Sequence, residues 1–221
     1  MSRTIFFNLP ISHNTVYSAA NANDISNSVS SELRSEIIRK SIHFLIAITP
    51  SLAAINRSFT VIFLIVGTLG YTLMEYLRLY GVKVPGISSL TSMACRPREI
   101  NGYVFGPVTL GFGALLALLL YPSDAAAIAI YALAFGDGFA SLVGKFFGKL
   151  RPAFLYGKSV EGSLACFFAV FFSAYTISGK LNIAFAAALT AMVVEALPLG
   201  DYDNLAIPVT VGLVVHFINQ I

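Results

Sequence analysis

Apolar residues along the chain group into long runs that are separated by short polar connections. Seven runs can be read, at 41–55, 59–79, 103–120, 124–147, 160–177, 182–197 and 204–221. An α-helix needs roughly 20 apolar residues to cross the hydrocarbon core of a bilayer, and most of these runs approach that length. The pattern therefore predicts an all-α, polytopic membrane protein with about seven transmembrane helices.

Composition strengthens this prediction and limits where chemistry can occur. Hydrophobic residues make up 57% of the chain and charged residues 11%, with a mean hydropathy of +0.78, whereas soluble proteins have about 25% charged residues. We expect a flexible cytoplasmic N-terminal tail at 1–31, with an organelle transit peptide as the alternative, and a single transmembrane helical catalytic domain at 32–221. Any active site must then be built from helix ends and short loops.

The basic residues are distributed very unevenly between the two faces of the predicted bundle. Of the 14 Lys and Arg residues, only Arg57 and Lys180 fall on the face opposite to the N-terminus. Because cytoplasmic connections carry an excess of Lys and Arg, the count predicts a cytoplasmic N-terminus.

Ionisable residues inside the runs are candidates for function, since each costs about 2.5 to 3.5 kcal/mol at the bilayer centre. Transporters tend to place such groups at the midplane, but these all lie toward the predicted cytoplasmic side, which favours a site open to the cytoplasm and the lipid headgroups. For any single residue the alternative is a snorkelling group or an interhelical hydrogen bond. The five residues are His43, Glu75, Asp137, Glu161 and Glu195.

The segment 136–149 combines an acid, a hydroxyl group, glycines and lysines. At helical spacing Asp137, Ser141, Gly144 and Gly148 share one face, and Lys145 follows beside them. A phosphate group could approach the backbone closely along the glycine strip. The alternative is a packing face, because Gly144 and Gly148 form a GxxxG pair.

Two further segments carry polar groups at predicted helix starts. Lys158 and Ser159 could hold phosphate oxygens together with backbone amides, although Ser159 could equally be an ordinary N-cap. Asp203 and Asn204 could supply oxygen ligands to Mg²⁺, or form an Asx turn before the last run. Such groups together indicate a site for a phosphorylated polar molecule at a lipid surface.

The order of these motifs resembles the family of CTP-dependent lipid kinases. That family includes phytol kinase, dolichol kinase and CTP-using diacylglycerol kinase, and it is distantly related to phosphatidate cytidylyltransferase. The likeness covers about residues 36–218. The motifs are Arg39-Lys40 with His43, Glu75 with Arg78, Gly136-Asp137-Gly138 with Gly144, the segment from Lys158 to Ser163, and Glu195 followed by the segment from Asp203 to Pro208.

The resemblance implies transfer of the γ-phosphoryl group of CTP, or of UTP, to the hydroxyl group of a membrane lipid alcohol, with Mg²⁺ as cofactor. Diacylglycerol, polyprenol or dolichol, and phytol are the candidate acceptors, and no residue chooses among them. The positions on which the family depends most match Arg39, Lys40, Asp137 and Gly144.

The roles that follow from this resemblance are hypotheses. Arg39, Lys40 and Lys158 would neutralise the triphosphate, Asp137 would hold Mg²⁺ or orient the lipid hydroxyl, and Asp203 would complete the metal site. The wider nucleotide-binding set is Gly138, Ser141, Gly144, Lys145, Ser159, Glu161, Gly162 and Asn204, and the further site residues are His43, Glu75, Arg78 and Glu195.

Two alternatives to a kinase stay open. A cytidylyltransferase would use the same nucleotide, but the extended signature of that family, which ends in an Asp-Arg pair near the C-terminus, is not seen. A small transporter or lipid scramblase is the non-enzymatic alternative. We expect CTP and a membrane lipid as partners, and no nucleic acid.

Overall fold

The computed structural model describes residues 33–82, 91, 93, 95 and 102–220, and this part of the chain is helical without any β-strand. The predicted tail at 1–31 lies outside the described residues, as does most of the polar connection at 83–101. The predicted all-α class is confirmed.

Eight α-helices account for most of the described chain, and short turns of other helix types connect them. The 3₁₀ turn Ile46–Ile48 joins the first two helices, and the π-helical segment Ala132–Asp137 joins α4 to α5. The helices are α1 (33–45), α2 (Thr49–Leu79), α3 (Gly106–Leu120), α4 (Ser123–Tyr131), α5 (Gly138–Phe146), α6 (Val160–Ser178), α7 (Leu181–Ala196) and α8 (Asp203–Gln220).

A sharp break at Asn56 divides α2 into two parts. Asn56 has φ −153° and ψ 100°, which are not helical values, and its side-chain oxygen accepts a hydrogen bond from the Phe59 N–H at 3.0 Å. The side chain thereby satisfies a backbone donor at the start of a new helix, as an N-cap does. The break falls between the first two runs predicted from the sequence, 41–55 and 59–79.

Polar contacts at both ends of α2 and α3 fix their relative direction. The Arg57 guanidinium donates hydrogen bonds to the carbonyl groups of Leu118 and Tyr121, at the end of α3. At the opposite end the Glu75 carboxylate accepts a hydrogen bond from the Val104 N–H at 2.9 Å, just before α3 begins. The stretch 57–79 therefore runs antiparallel to α3.

Small side chains form much of the core. In α7, Ala184, Ala187, Ala188 and Ala191 are all fully buried, and their spacing puts them on one helix face. Small residues allow helix backbones to approach closely, which is typical of helix packing inside membranes. The continuous helical stretch 123–146 lies at the centre of the bundle, because most of its residues are buried.

Within the described residues, three helices are long and apolar enough to cross a membrane. They are Leu33–Leu79, which includes the break at Asn56, Ser123–Phe146 and Val160–Ser178, and α3 and α7 are shorter apolar helices. These helices indicate an integral membrane protein, while the number of seven spans and the cytoplasmic N-terminus stay predictions. The sequence pattern predicts Asp124 as the N-cap of the fourth run, but Pro122 occupies that position and the helix starts at Ser123, so Asp124 lies in the first turn.

Candidate functional site

One face of α1 brings two basic residues against Asp137. Glu36, Lys40 and His43 lie four and three residues apart on this face, and all three are buried. The Lys40 Nζ atom lies 2.5 Å from Asp137 Oδ2, and His43 Nδ1 lies 3.1 Å from the same oxygen. Asp137 is thus a buried carboxylate whose charge is balanced by a neighbouring ammonium group.

Asp137 owes its position to an irregular helix. It is the last residue of the π-helical segment Ala132–Asp137, and α5 begins directly after it. A π-turn adds a residue to the helical turn, and such turns are frequent at functional sites.

A second carboxylate, that of Glu36, gathers three donors beside this pair. Its Oε1 atom accepts hydrogen bonds from Arg39 at 2.6 Å and from the Ser141 hydroxyl at 2.5 Å. Its Oε2 atom lies 2.9 Å from the Lys145 ammonium group. Glu36 therefore links α1 to α5 one helical turn beyond Asp137.

The start of α6 contributes Lys158 and Ser159. Ser159 is the N-cap of α6, and its hydroxyl accepts a hydrogen bond from the Gly162 N–H at 3.1 Å. Lys158 forms an ion pair with Glu195 Oε1 at 2.9 Å and also donates a hydrogen bond to the Glu195 carbonyl. The N-cap interpretation of Ser159 is correct, while Lys158 is tied to the end of α7.

Glycines let α5 and α6 approach each other closely at this point. A Cβ atom on Gly162 would lie 2.7 Å from the Ala140 carbonyl oxygen, and one on Gly144 would lie 3.1 Å from the Ser159 hydroxyl. Both glycines are buried. Close helix packing, the alternative weighed for the glycine strip, is therefore one function of these residues.

Five charged residues predicted to bind the triphosphate or Mg²⁺ line one cavity of about 330 Å³. They are Arg39, Lys40, Asp137, Lys158 and Asp203. This volume is at the lower end of typical ligand pockets. Five cations and three carboxylates line it, an excess of two positive formal charges. The lining residues are Arg39, Lys40, Asp137, Ala140, Ser141, Gly144, Lys145, Arg151, Gly157, Lys158, Ser159, Gly162, Ser163, Glu195, Gly200 and Asp203.

Asp203 reaches this cavity from the connection before the last predicted span. Partial burial, together with the negative charge of Asp137, raises the pKa of the Asp203 carboxyl group to about 7, although Lys40 and Lys158 oppose the shift. A cation or a basic group that enters the cavity would favour the ionised form of this acid.

Several residues proposed from the sequence do not line the cavity. The Asn204 amide donates a hydrogen bond to the Thr109 hydroxyl at 2.9 Å, and the Glu161 carboxylate accepts one from the Lys149 N–H at 3.0 Å. Gly138 lies against the Phe44 ring. The structure thus gives Asn204 and Gly138 contacts inside the fold, and it gives Glu161 contacts to an exposed loop, rather than positions on the cavity wall.

Glu75 and Arg78 form a separate cluster. The Arg78 guanidinium lies 2.7 Å from Glu75 Oε1 and donates a hydrogen bond to the Gly102 carbonyl at 2.7 Å. Together with the contact between Glu75 and Val104, these bonds fasten the end of α2 to the start of α3. The pair is not part of the cavity.

Two charged residues at the site were not predicted from the sequence. Glu36 lies four residues before Lys40 and seven before His43, so its helical spacing could have indicated it. Arg151 lines the cavity and donates hydrogen bonds to the carbonyl groups of Gly144 and Gly157, both at 2.6 Å. No sequence spacing indicates this contact, because Arg151 lies in an irregular loop.

Comparison with other proteins finds relatives at modest identity. The chain is 32% identical over 108 residues to CTP-dependent diacylglycerol kinase 1 of Eremothecium gossypii, a match that covers 47% of this chain and 33% of that protein. It is 28% identical over 153 residues to a probable chloroplastic phytol kinase of Triticum aestivum, covering 61% of this chain and 51% of that protein. An uncharacterized protein of Methanocaldococcus jannaschii is 28% identical over 189 residues, which are 83% of this chain and 95% of that protein.

The chain therefore matches about a third to a half of the length of the two named kinases. No family model and no solved structure matches it. The resemblance read from the sequence is nevertheless confirmed, since the relatives found include proteins named as a CTP-dependent diacylglycerol kinase and a probable phytol kinase.

Proposed function

We propose that this protein transfers the γ-phosphoryl group of CTP to the hydroxyl group of a membrane lipid alcohol. The observation that carries the proposal is the single cavity lined by Arg39, Lys40, Asp137, Lys158 and Asp203. These residues come from four different helical regions, yet the sequence predicts each of them as a candidate for triphosphate or metal binding. The names of the related kinases support the same class of reaction.

The basic residues of the cavity would bind the triphosphate. Arg39 and Lys145 line one side of the cavity, where both donate hydrogen bonds to the Glu36 carboxylate. Lys158 lines the cavity from the start of α6. Phosphoryl transfer asks the protein mainly for positioning and for stabilisation of negative charge. A cavity with an excess of positive charge between helix ends meets both requirements.

Asp137 would act on the acceptor. The lipid hydroxyl oxygen forms a bond to the γ-phosphorus, the bond from that phosphorus to the β–γ bridging oxygen breaks, and CDP leaves. Asp137 would orient the hydroxyl group and take up its proton, while Lys40 and His43 hold the carboxylate in place. Because both basic groups contact Oδ2, the assignment leaves Oδ1 for the substrate.

Mg²⁺ fits this site only in combination with the nucleotide. Among the described residues no group of three His, Cys, Asp or Glu side chains can hold a metal ion. Mg²⁺ is commonly bound by one or two carboxylates together with substrate phosphates. Asp203 lines the same cavity as Asp137 and would be the carboxylate that holds the ion, and Asp137 would be a ligand only in the alternative role in which it does not take the hydroxyl proton. When bound, the ion would neutralise charge on the β- and γ-phosphates.

The proposed orientation places the cavity at the cytoplasmic surface. The basic residues that surround it belong to the predicted cytoplasmic face, and the exposed side of α2 is apolar at Ile62, Phe63, Val66 and Leu69. The lipid acceptor would reach the site from the bilayer, and CTP would reach it from the cytoplasm.

The test is a product analysis with purified protein in detergent or lipid nanodiscs. CTP labelled at the γ-phosphate is supplied with diacylglycerol, a polyprenol or phytol, in parallel with UTP and ATP. We expect CDP and a labelled lipid phosphate. In a parallel reaction with phosphatidate in place of the alcohol, labelled pyrophosphate and a CDP-lipid would instead indicate a cytidylyltransferase.

The Asp137→Ala variant provides the matching control. It should insert into membranes but lose turnover, because the acceptor hydroxyl is no longer oriented. Retained turnover by this variant would refute the role of Asp137. Absence of any CTP turnover by the wild-type protein with all three acceptors would refute the kinase assignment.

A further inference from the structure

Glu36 does not line the cavity itself but contacts three residues that do. Its side chain is 6% exposed. Each of its three hydrogen-bond partners, Arg39, Ser141 and Lys145, does line it. One buried carboxylate therefore binds the charged ends of two cations and a hydroxyl group, and all three of these residues line the cavity.

The contacts of Glu36 reach across the fold. Ser141 and Lys145 lie 105 and 109 residues away along the chain, and Arg39 lies three residues away on the same helix. Lys145 is 39% exposed at its side chain, so without an anchor its ammonium group would be free to move in solvent. Two cations held by one carboxylate also repel each other less than two unshielded cations.

The physical effect of this arrangement is preorganisation. Long basic side chains lose rotamer entropy when they bind a ligand, and a partner that fixes them beforehand reduces that cost. Hydrogen bonds between charged partners are stronger than neutral ones and fix direction as well as distance. Glu36 satisfies these conditions for Arg39 and Lys145 at the same time.

We propose that Glu36 is a positioning residue that fixes Arg39 and Lys145 in the geometry that binds the nucleotide phosphates. The proposal rests on the function proposed above and adds a residue with no direct contact to substrate. Glu36 acts through the two cations, so its loss weakens phosphate binding before it affects the chemical step.

The chain provides a matched control for this role. Glu75 and Arg78 repeat the arrangement of Glu36 and Arg39, a buried glutamate with an arginine three residues later. Glu75 is fully buried, and its partners lie at the junction of α2 and α3 rather than at the cavity. Glu75→Gln therefore reports the cost of losing a buried ion pair without touching the phosphate site.

The experiment compares Glu36→Gln, Glu36→Asp and Glu75→Gln in the CTP-dependent assay, with thermal unfolding of each variant. We expect Glu36→Gln to raise KM for CTP at least tenfold, about 1.4 kcal/mol, with a smaller change in kcat. Glu36→Asp should recover part of this loss, because it restores the charge. Glu75→Gln should lower the unfolding temperature but leave KM for CTP within twofold of the wild-type value.

A double variant separates positioning from general stability. If Glu36 acts through the cations, Glu36→Gln should raise KM for CTP by less than threefold in a protein that already carries both Arg39→Ala and Lys145→Ala. A full tenfold addition in that background would overturn the proposal. An unchanged or lower KM for the single Glu36→Gln variant would also overturn it, since the carboxylate would then only offset positive charge.

Binding of inorganic tripolyphosphate to the purified variants distinguishes this proposal from the kinase assignment. If the wild-type protein binds tripolyphosphate but phosphorylates none of the lipid alcohols, the kinase assignment fails. Weaker tripolyphosphate binding by Glu36→Gln would still support the positioning role. Equal binding by Glu36→Gln and the wild-type protein would contradict it.

Discussion

The ion pair between Lys40 and Asp137 gives the most demanding test of the site. Both side chains are almost fully buried, at 4% and 6% exposure, and the atoms Nζ and Oδ2 lie 2.5 Å apart. At an effective dielectric constant of about 20, two unit charges at this distance attract by about 7 kcal/mol before the cost of desolvation. Desolvation cancels much of that attraction, so the net contribution of the pair is small.

Removal of one partner is a different perturbation from removal of both. Asp137→Asn leaves the Lys40 ammonium group buried without its counterion, and Lys40→Met leaves Asp137 with His43 alone. Each single variant should lose about 3 to 5 kcal/mol of stability. The double variant, with two uncharged side chains, should regain most of that loss.

Two measurements follow from this reasoning. Thermal unfolding in detergent should show a clear drop in midpoint for each single variant and a partial recovery for the double variant. CTP turnover should be lost in all three, because the two variants with Asp137→Asn lack the carboxylate at the acceptor, and Lys40→Met lacks the ammonium group that holds that carboxylate in place. Asp124→Asn, at an exposed acid in the first turn of α4, serves as the control and should change stability by no more than about 0.5 kcal/mol.

The refuting results are specific. If the double variant is as unstable as the sum of the two single variants, Lys40 and Asp137 do not balance each other in the folded protein. If Asp137→Asn keeps wild-type turnover, the carboxylate is not needed for the reaction.

Three further predictions concern packing, helix ends and pH. Gly162→Ala should reduce both folding yield and turnover, since its Cβ would lie 2.7 Å from the Ala140 carbonyl oxygen. Gly67→Ala should be tolerated, because no atom lies within 4 Å of the added Cβ. Equal effects of the two changes would contradict the packing argument. Arg57→Ala should lower the unfolding temperature, because two carbonyl groups at the end of α3 lose their donor, while KM for CTP stays unchanged in the kinetic assay. The raised pKa of Asp203, about 7 against an ordinary 3.8, means that the folded state binds this proton more tightly than the unfolded state; its stabilising effect is complete below about pH 4 and is lost as pH rises to about 7. The unfolding temperature measured across this pH range should therefore decline in the wild-type protein and decline less in Asp203→Asn. Identical profiles for the two proteins would refute the raised pKa of Asp203.

Local interactions explain why much of the site could be chosen from the sequence. Arg39, Lys40 and His43 are close together in the chain, and the spacing of Asp137, Ser141 and Gly144 places them on one helix face. Charged groups in an apolar run are costly, so their positions mark functional or structural contacts before any fold is known. All of these except His43 line the cavity, and His43 contacts Asp137 directly.

Other assignments depended on contacts that sequence spacing does not encode. Asn204 has a polar side chain at a helix start, which suits either a ligand or a structural contact, and its neighbour Thr109 lies 95 residues away. Glu75 and Arg78 satisfy each other and the backbone near Gly102, so their position in an apolar run reflects helix anchoring. In both cases the cost of burial is met by polar contacts at α3: Thr109 within that helix for Asn204, and the backbone of Gly102 and Val104 just before it for Arg78 and Glu75.

The sequence by itself determined the helical class, the approximate limits of most helices and a gap between apolar runs at 56–58, where α2 is broken at Asn56, because these depend on the order of apolar and polar residues along a short stretch. It also determined which residues carry unbalanced charge in an apolar setting. It did not indicate the 3₁₀ turn Ile46–Ile48, which lies inside the predicted run 41–55. Only the tertiary structure decided which of those charges meet, joining Lys40 to Asp137 across 97 residues and Glu36 to Lys145 across 109. The physical reason is that ion pairs and hydrogen bonds act over a few ångströms in space, and the packing of small residues between helices sets those distances.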